Sequence, residues 1–398
     1  MQVVCAGGGP ASLYLAILLK LQDPGRDVRV HERDPAGATY GWGVTYWPEM
    51  LARLAACDEV SAHTIEKESV CWSGGVAHIR DRTTSHDGDE GFAIGRHRLL
   101  EILAERATGL GVDVRYGHPV LPGDPALDGD LVVAGDGSRS ALRDEHREHF
   151  GTRVELGNNR FVWLGTTRVF TSFTFAFVDT GHGWLWCYAY GFDGTHSTCV
   201  VECSPETWAG LGLGSMARAD TLKLLESLLA KPLRGHPLID RTESDGPLPW
   251  QQFRTVTNRV WSRGNLVLLG DAAHTTHYSI GAGTTLAMQD AMALARALRD
   301  PGPLPAALGH YERTRRRELL PHQSAARHSA NWYENLTRYV DLAPHQMFAL
   351  LGQRHSPLLP YVPPQLYYRV DRAVDRTQAL RSLKRWLGPR VARILQNK

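Results

Sequence analysis

The chain opens on a glycine turn that leaves few folds open to it. Val3-Val4-Cys5-Ala6 is a short apolar run of the kind that forms a buried parallel strand. Gly7-Gly8-Gly9-Pro10-Ala11-Ser12 follows at once, and Leu13 to Leu21 is an apolar stretch long enough for a helix. A second strand, Val28-Arg29-Val30-His31, ends at Glu32-Arg33. Together these make a βαβ unit. Gly7 would form the tight turn, and Gly9 would let a pyrophosphate approach the backbone. Ser12, in the third glycine position, is small enough for close helix–strand packing. Pro10 and Ala11 open the helix, whose N-terminus favours phosphate charge. Glu32 is placed to accept from ribose hydroxyls, with Arg33 beside it. A glycine-rich structural turn is the plainer reading. Strand, helix, second strand and terminal acid in register favour a dinucleotide, without separating FAD from NAD.

Two later segments repeat the theme. Asp130-Leu131-Val132-Val133-Ala134 reads as a buried strand running into Gly135-Asp136-Gly137-Ser138, with Arg143 beyond. Asn265 to Leu269 is another apolar strand ending in Gly270-Asp271. It leads through Gly281-Ala282-Gly283-Thr284-Thr285 into a helix over Leu286 to Leu298. Asp271 can accept from a ribityl hydroxyl, and the amides of Gly283 to Thr285 can donate to a pyrimidine carbonyl of an isoalloxazine, with Gly281 a further contact. Taken alone, Asp271 would read as a helix N-cap.

In this order and spacing, the motifs resemble the FAD-dependent aromatic hydroxylases of the para-hydroxybenzoate hydroxylase superfamily. That family carries an Arg-x-x-Leu at the head of a helix, and Arg96-His97-Arg98-Leu99 matches it, so the resemblance implies a flavin contact for Arg96. Tyr40 to Val44, Phe161 to Thr167, His182-Gly183-Trp184, His277 to Gly281 and Ser329 to Asn335 are similar to the hydroxylases of salicylyl-CoA and anthraniloyl-CoA. The violacein-pathway hydroxylase is a more distant likeness. The resemblance covers about residues 1 to 350 and fades after Gln353. It implies an α/β fold: a discontinuous FAD-binding Rossmann-like (GR2-type) domain, a β-sheet substrate domain and a helical C-terminal extension. The expected ranges are 1–67, 91–150 and 261–300 for FAD, 68–90 and 151–260 for substrate, and 301–398 for the helical region.

It also implies a chemistry. NAD(P)H, a transient co-substrate, reduces FAD; O2 then gives a C4a-hydroperoxide that hydroxylates an electron-rich ring of anthranilate, salicylate or indole type. The pocket should be apolar and closed. Trp42, Val44, Tyr46, Trp47, Trp163, Phe175, Trp186 and Tyr188 are candidate lining residues, although plain core is the blander reading of each. His277, between Asp271 and the Gly281 to Thr285 segment, is the expected proton acceptor, with Tyr278 against substrate. His274 reads as structural.

Composition bounds the rest. The 398 residues suggest about two domains, and Lys plus Arg (44) nearly cancels Asp plus Glu (42), which leaves no electrostatic footprint for nucleic acid. No apolar run approaches a membrane span, and the first residues lack a signal-peptide pattern, so a cytoplasmic protein is expected. Six scattered Cys without CxxC pairs argue against disulfides and zinc, and no metal is expected. Arginines gather at Arg313, Arg315, Arg316 and Arg317 and again over Val370 to Leu395. They read as a solvated face, or more sharply as a docking surface for the phosphates of CoA or for an acidic carrier protein. A flavin-dependent halogenase is a weighed alternative, but only Lys67 could serve as its essential lysine. A non-redox FAD-bound structural or carrier-interacting protein is the other.

Overall fold

The structure is a computed structural model that describes residues 1–38, 41–241 and 246–375. Tyr40, and the arginine-rich stretch beyond Asp375, therefore lie outside the described residues.

The glycine turn sits at the centre of a six-stranded sheet. Strand Gln2–Ala6 pairs in parallel with Asp27–His31 on one side and Leu131–Ala134 on the other. Asp113–Arg115 and Leu266–Leu268 extend the two flanks in parallel, and Ser262–Arg263 closes one edge antiparallel. The central strands Gln2–Ala6 and Leu131–Ala134 are buried on both faces, which explains their unbroken apolar runs. Helix Pro10–Gln22 is apolar almost all round because it is buried from Ala11 to Lys20, beneath helices Arg96–Gly109 and Gly283–Ala297.

An eight-stranded sheet forms the second body. Its order is Leu238–Ile239, Arg160–Thr166, Ser197–Cys203, Trp184–Gly191, Phe173–Asp179, Val70–Ile79, Arg82–Gly95 and Gly43–Tyr46. All its pairs are antiparallel except Phe173–Asp179 with Val70–Ile79. Gly43–Tyr46 and the end of Arg82–Gly95 lie in ranges expected for the FAD domain, yet they pair into this sheet. One face packs on helix Arg218–Leu228 through Val162, Leu164, Cys187 and Val201. The other face is aromatic: Phe175, Phe177, Trp186, Tyr188 and Tyr190.

The C-terminal helices cover that aromatic face. Trp332 and Tyr333, near the end of the 31-residue helix Leu304–Glu334, and Met347 and Phe348, in Pro344–Gly352, are buried against it. A last helix, Pro364–Asp375, follows. Among the described residues, no helix is long and apolar enough to cross a membrane.

Candidate active site

The dinucleotide end is built around space that only glycine leaves. Gly7 has φ +92°, and a Cβ there would lie 2.5 Å from the Gly135 carbonyl oxygen. A Cβ on Gly9 would meet nothing within 4 Å, so this side of the turn is open. Gly9 caps helix Pro10–Gln22 without any side-chain hydrogen bond, leaving the amides of Ala11 and Ser12 to face that opening. Ser12 is accommodated from across the sheet: its Oγ lies 2.1 Å from where a Gly135 Cβ would be, so the missing third glycine is supplied by Gly135. The Ser12 hydroxyl is buried with no partner. Glu32 stands at the mouth of the turn, accepting from the Gly8 amide at 2.6 Å and the Asp34 amide at 3.0 Å. Arg33 points outward, 3.7 Å from Asp34.

The second end assembles at Gly270-Asp271. Gly270 has φ +61°, and its Cα faces Ala11 of one helix and Ala287 of another. The Asp271 carboxylate is half-buried, and burial raises its pKa against the pull of His274 and Arg96. Arg96 heads helix Arg96–Gly109, its amide bound to the Trp42 carbonyl at 2.7 Å. Helix Gly283–Ala297 begins without a side-chain cap, and a Cβ on Gly283 would meet nothing within 4 Å. Gly281, at φ +61°, leaves room for the Thr45 hydroxyl, 2.7 Å from its would-be Cβ. The structure thus offers two uncapped helix N-termini, an acceptor carboxylate and an arginine, a donor set that fits FAD. A small cavity beside the start of the second helix is lined by Val44, Thr45, Tyr46, Leu99, Thr284 and Thr285 among others.

The anchor beneath Asp271 escaped the sequence reading. Asp290 is fully buried and accepts from the Gly270 amide (3.1 Å), His274 Nε2 (2.8 Å) and Arg315 Nε (2.7 Å). His274 stacks on Trp261 with centroids 5.3 Å apart, a structural role. Arg143, also buried, reaches the carbonyls of Ser138 and Ala272 and so ties the Asp-Gly segment to the Gly-Asp segment. Arg315 itself departs from both expectations for the arginine cluster. It is 1% exposed and pairs with Asp290 and Glu318, while Arg316 binds Glu312 and the carbonyls of Asn258 and Arg259. Only Arg313 and Arg317 of that run face outward.

The expected lining residues divide into groups. Val44 and Tyr46 line the small cavity beside Thr284 and Thr285, and Tyr46 stacks on Phe92 and binds Ser69. Phe175, Trp186 and Tyr188 stand on the aromatic face, where Tyr188 lies 5.8 Å from Phe173 and Trp186 stacks on Tyr333. Trp42 is wedged between Gly165 and the Arg241 guanidinium, which sits 3.9 Å from its ring centroid, and Trp163 packs over Gly41. Trp47 does not join them. It is 45% exposed and meets only the edge of Trp72 among the rings. Lys67 is exposed at the end of helix Glu59–Lys67.

The loop between the two flavin-facing segments inserts into the aromatic face. The Tyr278 ring lies 4.4 Å from Phe161 and 6.2 Å from Tyr188, and its hydroxyl donates to Glu202 at 2.7 Å. His277 receives the Ser279 amide on Nδ1, which places its own ring proton on Nε2. Burial, and then the Arg354 charge, push its pKa down to about 3. The expected proton acceptor thus has its Nδ1 engaged by the Ser279 amide. Arg354 braces the loop by donating to the Ser279 carbonyl (2.9 Å) and to Ser329 Oγ (3.1 Å), which meets Ser279 Oγ at 2.7 Å. Glu202 went unnoticed in sequence, although one acid inside Ser197-Thr198-Cys199-Val200-Val201-Glu202-Cys203 was its signal.

Comparison with known proteins agrees with this geometry. A profile of the FAD binding domain matches residues 1–317. Salicyloyl-CoA 5-hydroxylase of Streptomyces sp is 37% identical over 85% of this chain, which spans 66% of that relative. The 3-hydroxy-4-methyl-anthranilyl-[aryl-carrier protein] 5-monooxygenase of Streptosporangium sibiricum is 34% identical over 84% of this chain and 90% of its own length. Protodeoxyviolaceinate monooxygenase of Chromobacterium violaceum is 28% identical over 94% of this chain and 100% of its own. Among solved structures, 2-methyl-3-hydroxypyridine-5-carboxylic acid oxygenase superposes with a TM-score of 0.67 at 19% identity, covering 91% of this chain and 98% of the other.

Proposed function

The chain belongs to the FAD binding domain family of flavoprotein monooxygenases, and from that premise we propose that it hydroxylates an electron-rich aromatic ring of the anthranilate, salicylate or indole type. The substrate is free or carried as a CoA or carrier-protein thioester, in a specialised biosynthetic route in the cytoplasm. One observation carries the reading. The loop joining the two flavin-facing segments places Tyr278 among the rings of the aromatic sheet face.

Bound FAD supplies the redox chemistry, drawing on NAD(P)H and O2 to deliver one oxygen atom. The chain's own residues do the rest. Gly9, Ala11 and Ser12 receive the pyrophosphate, Glu32 the ribose, and Asp271 the ribityl chain. The amides from Gly283 to Thr285 would hold the ring carbonyls, and Arg96 offsets the Asp271 charge. Phe161, Tyr188 and Tyr278 orient a flat substrate by stacking, and Trp332, Tyr333 and Phe348 seal the back of the site from water. His277 Nε2 donates to a substrate oxygen.

The test is a panel of free, CoA-linked and carrier-linked aromatic acids and indoles, offered to the FAD-loaded protein with NADH or NADPH. At least one should stimulate nicotinamide oxidation and yield a product heavier by one oxygen atom. If none does, the hydroxylase reading fails.

A further inference from the structure

Glu202 is the acidic group nearest the substrate-facing loop, and its burial needs an explanation. It stands in the middle strand of an apolar face, 1% exposed, with no cation bound to it. A carboxylate in such a place costs several kcal/mol when ionised. Its two oxygens are fully directed: Oε2 takes the Tyr278 hydroxyl at 2.7 Å, and Oε1 takes the Asn159 amide at 2.7 Å. Trp186 faces it from the adjacent strand. The charged group coupled to it from helix Leu304–Glu334 is Glu334, which is exposed and holds the Asn158 amide at 2.9 Å. Tyr188, Tyr333 and the His277 ring, 4.2 Å from its own, are further titratable neighbours of Tyr278, and the Arg354 charge reaches His277 and both of those tyrosines. The groups thus run from the aromatic wall, through Tyr278 and Glu202, toward a surface carboxylate.

We propose that Glu202 is the site's proton acceptor, acting as a positioning residue through Tyr278. This assignment rests on the hydroxylase reading. A ring hydroxyl of the substrate donates to Tyr278 Oη, whose own hydrogen already points at Glu202. As the substrate O–H bond breaks, its proton joins Tyr278 Oη, and the Tyr278 proton moves to Glu202 Oε2. Tyr278 ends unchanged, Glu202 ends neutral, and the substrate holds the electron pair that enriches its ring. No electrons are exchanged in the step.

Two features favour Glu202 over His277. The His277 Nδ1 lone pair is taken by the Ser279 amide, whereas Glu202 keeps its acceptor character behind a tyrosine that faces the site. Burial also lifts the Glu202 carboxyl to about 7, while His277 is pressed down to about 3. A base poised near 7 is matched to neutral pH.

The experiment compares wild type with Glu202→Gln, Glu202→Asp and Tyr278→Phe on the panel member that turns over best. The wild-type rate should rise with pH through about 7 as Glu202 ionises. Glu202→Gln should keep FAD and substrate KM but lower kcat by about 100-fold and lose that limb. Glu202→Asp should restore part of the rate. The double variant Glu202→Gln/Tyr278→Phe should be no slower than either single one, as expected of groups acting as a unit. If Glu202→Gln retains the rate and its pH limb, Glu202 is only a tie between strand and loop, and the proposal is overturned. If wild type turns over no aromatic at all, the hydroxylase reading fails first and takes this assignment with it.

Discussion

Glu202 and His277 titrate in opposite senses, and each leaves a mark on stability. The folded Glu202 carboxyl is raised from 4.5 to about 7, so the unfolded chain releases its proton first as pH rises. Stability linked to Glu202 is therefore present below 4.5 and lost between 4.5 and about 7, by about 3 kcal/mol. Glu202→Gln removes that loss. Denaturant curves should show the variant gaining on wild type across this window, and parallel curves would refute the shift. The folded His277 is lowered from 6.5 to about 3, so its contribution is present above 6.5 and is lost as pH falls below it. His277→Asn should accordingly narrow the loss of stability on the acid side. At the dinucleotide end, Gly7→Ala would drive a methyl group to 2.5 Å from the Gly135 carbonyl in a φ region that disfavours alanine. The expected outcome is a protein purified without FAD, read from its visible spectrum. Gly7, Gly9 and Asp271 were legible in sequence because their chemistry is local: a turn, an open backbone and a carboxylate at a strand end. Glu202 was not, because its meaning depends on Tyr278, far along the chain and brought to it only by the fold.

At the level of elements, the long helix Leu304–Glu334 is more than an appendage. Through Arg315 it reaches under the cofactor segment and neutralises Asp290, which in turn holds the Gly270 amide and His274. The sequence shows four arginines in a helical run, and helical spacing alone cannot say which face is covered. The structure buries Arg315, half-covers Arg316 and leaves Arg313 and Arg317 outside. Arg315→Met should strand a buried carboxylate and cost about 3–5 kcal/mol. It should also loosen Gly270-Asp271, so that thermal melting and retained FAD fall together. Arg317→Met, on the exposed side of the same helix, should change neither; an equal effect from both would mean that the helix matters only as a whole.

Across the whole molecule, the order of three motifs was enough to foretell an α/β cofactor body interleaved with a β-rich one. It could not foretell how the pieces close. Strand Gly43–Tyr46 looks local to the first βαβ unit, yet it pairs with Arg82–Gly95 at the edge of the other sheet and carries Val44 and Tyr46 to the small cavity beside Thr284 and Thr285. Closure at the opposite side depends on residues late in the chain. Arg354, just past helix Pro344–Gly352, joins the Leu351 carbonyl, Ser329 of the long helix and the Ser279 carbonyl of the substrate-facing loop. One guanidinium thereby fixes the C-terminal cover to the loop that carries His277 and Tyr278. A hydroxylase of this kind must keep water from its oxygen-transfer step, and a cover that fits loosely lets reducing power escape. Arg354→Ala should leave FAD content unchanged, because the side chain is bound to Leu351, Ser329 and the Ser279 carbonyl. Nicotinamide oxidation should continue in the presence of an aromatic substrate, but the share of it ending as hydrogen peroxide should rise several-fold over wild type, at the expense of hydroxylated product. The ratio of peroxide to product, measured together with FAD content, decides the matter. If the ratio holds at the wild-type value, the Arg354 contacts serve stability alone, and the site is closed by its aromatic packing.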